Sequence, residues 1–184
     1  MKKSALAISV LSLAMLSGVA SATVNDANLN ANNVRFLGTV TDTTCNLVPY
    51  VNGSATNVVN VGTVTKGGTG TPVDFSLKPD GQNDCGTIVD KNNPTNNKTA
   101  HIAFMGALTD SGLANQSGAA VDANLVILAT NSTQATDPIT QSDDVRQVTG
   151  ANIVGDGATF TATLHGGQTV GDYQSAIAYQ VSYP

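Results

Sequence analysis

The sequence contains no glutamate and no tryptophan, and only 11% of its 184 residues are charged. All 13 acidic residues are aspartates; with 8 lysines and arginines they give a net charge of −5. Glu, Lys and Arg favour helices, so their scarcity argues against a helical bundle and an enzyme with long amphipathic helices. A nucleic-acid binder needs a basic surface, yet the only adjacent basic pair is Lys2-Lys3. We therefore predict no nucleic-acid partner.

Catalytic and metal-binding motifs are also missing from the sequence. His101 and His165 have no Cys or second His at ligand spacing, and no GxSxG, HExxH or Walker-type motif occurs. Asp143 and Asp144 form the one adjacent acidic pair, but neighbours along a strand point to opposite faces. The sequence therefore predicts neither an enzyme nor a bound cofactor or metal.

Asn, Thr and Gly are abundant instead, with 18, 23 and 18 residues, about a third of the chain. Thr suits pleated strands, whereas Asn and Gly supply turns. Apolar and polar residues alternate in several short segments, which predicts strands. These are residues 34–45, 58–64, 73–77, 158–164 and 176–183, two strands buried on both faces at 100–108 and 123–130, and a weak edge strand within 137–148. This spacing is typical of an all-β, immunoglobulin-like sandwich.

The N-terminus is typical of a secretory signal. Two lysines precede an apolar segment over residues 5–16, and Ala20 and Ala22 provide the small residues of a cleavage site. The apolar segment is shorter than the ~20 residues that a membrane span needs. We predict a signal peptide at 1–22, which leaves six basic and thirteen acidic residues, a net charge of −7, in the exported product.

Export also bears on the two cysteines, Cys45 and Cys85. An oxidising compartment favours a disulfide between them, and closing this ~40-residue loop would stabilise by roughly 4 kcal/mol in the chain-entropy model. A redox or metal-binding pair would need CxxC spacing or a nearby histidine. The sequence therefore favours a structural disulfide.

The last predicted strand is the most regular one. Ile177, Tyr179, Val181 and Tyr183 alternate with small or polar residues and stop just before Pro184. A terminal strand with two large aromatics normally has a partner on both edges. The pattern alone fits an ordinary closing strand equally well.

The sequence here resembles the subunits of chaperone–usher pili, or fimbriae, of Gram-negative bacteria. The resemblance covers most of the chain after the signal, through VRFLGTV before Cys45, VDFSLKPDGQNDC ending at Cys85, TAHIAFMGAL, ANLVILAT and GDYQSAIAYQVSYP. The family has a penultimate Tyr and a Gly fourteen residues from the end, positions held here by Tyr183 and Gly171. The 162 residues after the signal leave no room for the lectin domain of a tip adhesin, which points to the major-pilin type.

The resemblance implies an incomplete immunoglobulin-like sandwich that lacks its last strand, formed by residues 37–184. It implies that residues 23–36 are an N-terminal donor-strand extension, which fills the groove of a neighbouring subunit. Its main apolar plugs would be Val34 and Phe36.

Two partners in assembly are also implied. A periplasmic chaperone would pair with the C-terminal strand and hold the carboxylate of Pro184, and an outer-membrane usher would replace it by the next subunit. The chain departs from the family at Asn32, where Gly is usual, and Leu29 lies on the opposite face from Val34 and Phe36.

Two functions follow from this interpretation. The first is a structural subunit of a surface fimbria, which is exported through the periplasm, joins identical or related subunits and supports adhesion to host cells. The alternative is that the subunit itself is an adhesin for host glycolipid or glycoprotein sugars, because VDFSLKP resembles a subgroup with that property. Sugar binding needs an aromatic platform beside polar groups. Tyr50 and Tyr173 are the aromatics outside strand patterns, and either is equally well a loop anchor.

Overall fold

The computed structural model describes residues 45–81, 85–93, 96–133 and 136–184. They form an immunoglobulin-like β-sandwich of two antiparallel sheets, together with one short helix and one 3-10 turn. The predicted signal peptide, the donor extension and, apart from Cys45, the strand predicted at 34–45 lie outside the described residues. The sandwich itself is therefore seen from Cys45 onward.

Ten strands and one helix follow one another along the chain. They are β1 (Leu47–Val51), β2 (Ser54–Ala55), β3 (Val73–Pro79), β4 (Thr99–Gly106), β5 (Leu108–Thr109), β6 (Gly112–Ala114), β7 (Asn124–Ala129), β8 (Val145–Thr149), α1 (Gly150–Val154), β9 (Ala158–His165) and β10 (Ile177–Ser182). The larger sheet has the order β2-β1-β3-β9-β7-β6-β5, and the smaller sheet has the order β10-β4-β8. The C-terminal strand β10 is thus an edge of the smaller sheet.

The core lies between the two sheets and is centred on aromatic rings. Phe160 of the larger sheet stacks on Phe75 with ring centroids 5.1 Å apart, and it meets Phe104 of the smaller sheet edge-on at 5.5 Å. Such pairs add about 0.5–1.5 kcal/mol beyond the area that they bury. This cluster packs the two sheets together.

The predicted disulfide between Cys45 and Cys85 is present. It joins the start of the described chain to a 3-10 turn, Cys85–Ile88, and both half-cystines are buried. The bond therefore lies at one end of the sandwich, just before the start of β1.

A second tie between the sheets is Arg146, the one buried charged side chain in the described part of the protein. It lies on β8 of the smaller sheet, and its Nη2 donates to the carbonyl oxygens of Asp137 and Pro138 at 3.0 and 2.7 Å. Pro138 forms a bridge with Leu128 of β7, and the Ile139 N–H donates to β7 as well. Arg146 thus holds a segment that pairs with the larger sheet.

The prediction of a strand at 58–64 is wrong, because this segment forms no strand. The hydroxyl of Thr56 accepts a hydrogen bond from the N–H of Val58, and the side chain of Asn60 accepts one from Gly62, which has φ +74°. These local bonds use N–H groups that a ladder would need, and Gly62 turns the backbone out of the extended conformation. A run of β-branched residues was therefore insufficient to make a strand.

The prediction that 100–108 and 123–130 are buried on both faces is also wrong. Burial alternates along both β4 and β7: one face is buried, and most residues on the other are half-buried. Each sheet of a two-layer sandwich packs against the other on a single face. Neither β1 nor α1 was predicted from the sequence, although Thr149 caps α1 by accepting a hydrogen bond from the Asn152 N–H.

Candidate functional site

An apolar groove of about 440 Å³ opens beside β10. One rim is the irregular segment around Val58, Val59 and Val61, and the other is β10 with the residues that precede it. Its floor consists of core side chains from both sheets, namely Phe75, Leu77, Phe104, Leu113, Leu125, Ile127 and Ala162. The sandwich core is therefore accessible between these two rims.

The inward face of β10 forms one wall of this groove. Tyr179 lies opposite Phe104 and Val181 opposite Ile102, so both share the face of buried β4 side chains, as does Ile177. The two β4 residues are 2% and 0% exposed, whereas all three β10 side chains are only half-buried. Among the described strands, β4 alone pairs with β10. Apolar side chains and a strand edge thus meet in one place.

Two tyrosines fix β10 across the sandwich. The Tyr183 hydroxyl donates to the carbonyl oxygen of Cys45, and the Tyr179 hydroxyl donates to that of Leu47, both at 2.9 Å. Burial raises the pKa of both hydroxyls, that of Tyr183 to about 12, because the buried surroundings disfavour the phenolate. Sequence reasoning placed both tyrosines on the strand but missed these partners. The available signal was that a buried Tyr usually has a hydroxyl partner.

Gly171 lies in the loop that leads into β10, and it touches a second loop directly. Its φ is +149°, and a Cβ at this position would lie 2.5 Å from the Cβ of Ala119. A Cβ on Gly118 would lie even closer to the carbonyl oxygen of Asp172. A side chain on either glycine would push the two loops apart, so Gly171 sets how closely the approach to β10 packs.

Asn115 holds the same two loops together, a role that was not predicted from the sequence. Its side-chain amide donates to the carbonyl oxygens of Gly118 and Ala120, and its carbonyl oxygen accepts from the Gln174 N–H. The available signal was an Asn three residues before a Gly, a combination typical of turns. Asn115 therefore helps to position the start of β10.

The two aromatics considered for sugar binding differ in their surroundings. The Tyr173 hydroxyl donates to the Leu113 carbonyl oxygen at 2.9 Å, and burial raises its pKa to about 12, so Tyr173 is a loop anchor. Tyr50 lies on the outer face of the larger sheet, opposite Ser76. It lines a separate cleft of about 540 Å³ together with Asp74, Ser76, Lys78, Thr130, Asp156 and Thr159.

The remaining predicted site residues divide into two groups. Asn32, Val34 and Phe36 lie outside the described residues, so their role stays a prediction. Pro184 follows the buried Tyr183 and is itself exposed.

Neither a metal centre nor a membrane helix appears in the part of the chain that the structure describes. No cluster of three or more His, Cys, Asp or Glu residues there could hold a metal ion. No helix in the same part is long and apolar enough to cross a membrane.

Two known proteins resemble this chain over long alignments. It is 35% identical over 177 residues to the F107 fimbrial protein of Escherichia coli, an alignment that covers 96% of each chain. It is 37% identical over 135 residues to the K99 fimbrial protein of Escherichia coli, covering 71% of this chain and 66% of that protein. No protein-family model matches the sequence.

Proposed function

This chain belongs to the family of chaperone–usher fimbrial subunits and is a component of a cell-surface fimbria, and from that premise we propose that it polymerises by donor-strand exchange. In this proposal the groove beside β10 accepts the N-terminal extension, residues 23–36, of the next subunit. Catalysis has no part in the proposal.

The observation that carries the proposal is the groove itself, about 440 Å³ in volume and floored by core side chains. An open core beside a sheet edge favours an added strand, whose backbone pairs with the edge while its side chains fill the groove. Val34 and Phe36 are the proposed plugs, and each would contribute ~1.5–3 kcal/mol when fully buried. The added strand would complete the smaller sheet and close the sandwich.

The same exposure explains the need for a chaperone before assembly. We propose that a periplasmic chaperone lends a strand that pairs with the edge of β10 and covers the inward side chains of Ile177, Tyr179 and Val181. Its basic residues would bind the carboxylate of the exposed Pro184. The outer-membrane usher would then be the place where the extension of the next subunit displaces the chaperone strand.

The test of the proposal is removal of the extension. A chain that lacks residues 23–36 is expected to accumulate as a chaperone-bound subunit that forms no fibres in electron micrographs. A double substitution, Val34→Ser with Phe36→Ser, should slow assembly in the same way. Leu29→Ser is the matched control because Leu29 lies on the opposite face of the predicted strand. Normal fibres from the truncated chain would refute the donor assignment.

Asn32 offers a finer test of the register of the donor strand. It stands two residues before Val34, where the family usually has Gly. If Asn32 enters a narrow part of the groove, Asn32→Gly should accelerate exchange of the chaperone for a free donor peptide. An unchanged exchange rate would place Asn32 outside the groove.

A second candidate function, direct binding of host sugars, is favoured by the Tyr50 cleft. The half-buried ring of Tyr50 beside Asp74, Lys78 and Asp156 offers the stacking face and the hydrogen-bonding groups that a sugar needs. Glycan-array binding by a donor-complemented subunit should be lost in Tyr50→Ala and kept in Val48→Ala, which alters the same face of β1. The absence of any glycan binding would leave only the structural role.

A further inference from the structure

The turn that joins β1 to β2 consists of Asn52 and Gly53, and both residues are exposed. It is the only place in the sequence where Asn precedes Gly, although the chain has 18 asparagines. An Asn-Gly pair is the one most prone to spontaneous deamidation, because glycine has no side chain to keep its backbone nitrogen away from the asparagine amide. Whether the pair reacts then depends on its surroundings in the fold.

Deamidation is a cyclisation followed by hydrolysis. The backbone nitrogen of Gly53 attacks the side-chain carbonyl carbon of Asn52 and forms a new C–N bond. Its proton leaves with the side-chain amide nitrogen as ammonia, and a cyclic succinimide remains. Water then opens the succinimide at either of its carbonyl carbons. One opening gives aspartate, and the other gives isoaspartate, in which the main chain passes through the former side-chain carbon.

The attacking nitrogen of Gly53 lies in open surroundings. Gly53 has φ +77°, and a Cβ built on it would meet no atom within 4 Å. Asn52 has φ 50°, so both central residues of the turn have a positive φ, as in a type I′ hairpin turn. The hydrogen bond that closes such a turn joins the residues on either side of the central pair. The Gly53 nitrogen is therefore not needed to close the turn.

The side chain of Asn52 is also free to react, in contrast to that of Asn131. No hydrogen bond holds the Asn52 amide within the residues that the structure describes. The amide nitrogen of Asn131 donates to the Gly157 carbonyl oxygen at 2.7 Å, and its oxygen accepts from the Thr159 N–H at 3.0 Å. Because Asn131 also precedes a small residue, Ser132, it is an internal control in the same chain.

The hairpin around the turn opens at little cost because it is short. β2 contains only Ser54–Ala55, both exposed, and lies at the edge of the larger sheet. Beyond β2, the N–H of Thr56 donates to the carbonyl oxygen of Pro49 at 2.9 Å. Asn52 must leave its turn conformation to cyclise, and an exposed edge hairpin has the low local stability that permits this.

The turn also lines the cleft of about 540 Å³ that contains Tyr50. The charged residues of this cleft are Asp74, Asp156 and Lys78, two negative charges and one positive, which give a net charge of −1. A carboxylate in place of the Asn52 amide would add one further negative charge. Conversion of Asn52 would therefore change the chemistry of this cleft as well as the shape of the turn.

We propose that Asn52 is a site of spontaneous deamidation, which adds a carboxylate to the Tyr50 cleft and loosens the hairpin of β1 and β2. The loosening follows from the isoaspartate product, because its additional main-chain carbon does not fit a two-residue type I′ turn. The chain is a component of a surface fimbria and stays in place after assembly, so that a slow reaction accumulates. This proposal depends neither on donor-strand exchange nor on sugar binding.

The direct test is mass spectrometry of fimbriae made of the unaltered chain, taken fresh and after prolonged incubation in mildly alkaline buffer. The tryptic peptide that follows Arg35 and ends at Lys66 should gain the mass that distinguishes a carboxylate from an amide. It should separate into aspartate and isoaspartate forms, and Asn52→Asp supplies the reference for the first. Fragmentation should place the change at Asn52 and not at the other asparagines of the peptide, Asn46, Asn57 and Asn60.

A comparison of folded and unfolded chains decides whether the fold exposes this site. Asn52 should convert in folded fimbriae and in urea, whereas Asn131 should convert only in urea. Gly53→Ala should slow the conversion several-fold in both states, because the methyl group hinders the attacking nitrogen. An Asn52 amide that persists in the folded chain and is lost in urea would overturn the proposal. Equal conversion of Asn52 and Asn131 in the folded chain would also overturn it, because the free amide would then have no advantage.

Hydrogen exchange measures the effect on the hairpin. In chains that contain isoaspartate, the Thr56 amide should lose its protection because its bond to Pro49 depends on the turn. The Thr130 amide, which donates to the Thr159 carbonyl oxygen in the same sheet, should keep its protection. Asn52→Asp adds the charge without lengthening the main chain and should leave Thr56 protected. Unchanged protection of Thr56 in the isoaspartate chains would refute the loosening.

Discussion

Replacement of Arg146 by methionine tests whether one buried guanidinium connects the two sheets. Met keeps most of the apolar stem of the side chain and removes the hydrogen-bond donors. Nη1 donates to the Val145 carbonyl at 2.7 Å and to the Asp143 carboxylate at 2.9 Å, and Nη2 donates to the carbonyls of Asp137 and Pro138. After the substitution these acceptors would lose their donor in a site where the arginine is 0% exposed.

The expected magnitude follows from burial. A buried acceptor that loses its donor costs about 1–3 kcal/mol, because it stays desolvated. Arg146→Met leaves three carbonyl oxygens without this donor, so we expect a total loss of about 3–5 kcal/mol. The Asp143 side chain is 38% exposed, so water can replace the arginine there, and Asp143→Asn should cost only ~0–1 kcal/mol. For a domain of this size, a loss of 3–5 kcal/mol corresponds to roughly 6–20 °C in Tm.

Urea unfolding of the purified protein, followed by far-UV circular dichroism, measures the loss. Arg146→Met should lower the midpoint while the dependence of the unfolding free energy on urea stays the same, and Asp143→Asn is the control. The reasoning fails if Arg146→Met is as stable as the parent. It fails equally if Asp143→Asn is as damaging as Arg146→Met, since the exposed ion pair would then dominate.

Three further predictions concern the β10 region and the disulfide. Burial raises the pKa of Tyr183 from 10.0 to about 12 in the folded protein. The stability due to its neutral hydroxyl is therefore fully present below pH 10 and should be lost as the pH rises toward 12. Tyr183→Phe should flatten this decline in unfolding titrations. Gly171→Ala should lower the free energy of unfolding by about 1–3 kcal/mol, because the new methyl group forces the loop away from Ala119. Gly53→Ala should lower it less, because Gly53 has φ +77° but a Cβ there would meet no atom within 4 Å. Equal losses in urea unfolding would exclude the packing argument. Cys45 and Cys85 are separated by 40 residues, and replacing both with serines should lower the free energy of unfolding by about 4 kcal/mol, as measured by thermal unfolding. Adding reductant to that variant should not change its stability further.

The β class of this protein was predictable because each strand carries its own local pattern. Alternation over 73–77 and 158–164 marks β3 and β9, since successive side chains in a strand point to opposite faces. The disulfide was predictable from export and the presence of a single cysteine pair. The strand prediction failed at 58–64 because the side chains of Thr56 and Asn60 accept hydrogen bonds from nearby backbone N–H groups, which a strand partner would otherwise bind.

The sequence by itself, through its alternation of apolar and polar residues, determined that this chain forms short antiparallel strands. The regular segment at 176–183 already identified β10. Only the tertiary structure decided what those strands leave open. A groove depends on which core side chains lack a covering neighbour, and the partners of Tyr183 and Arg146 come from segments far away along the chain or in another layer. A strand pattern depends only on neighbouring residues in the sequence, whereas an uncovered surface depends on how the whole chain packs.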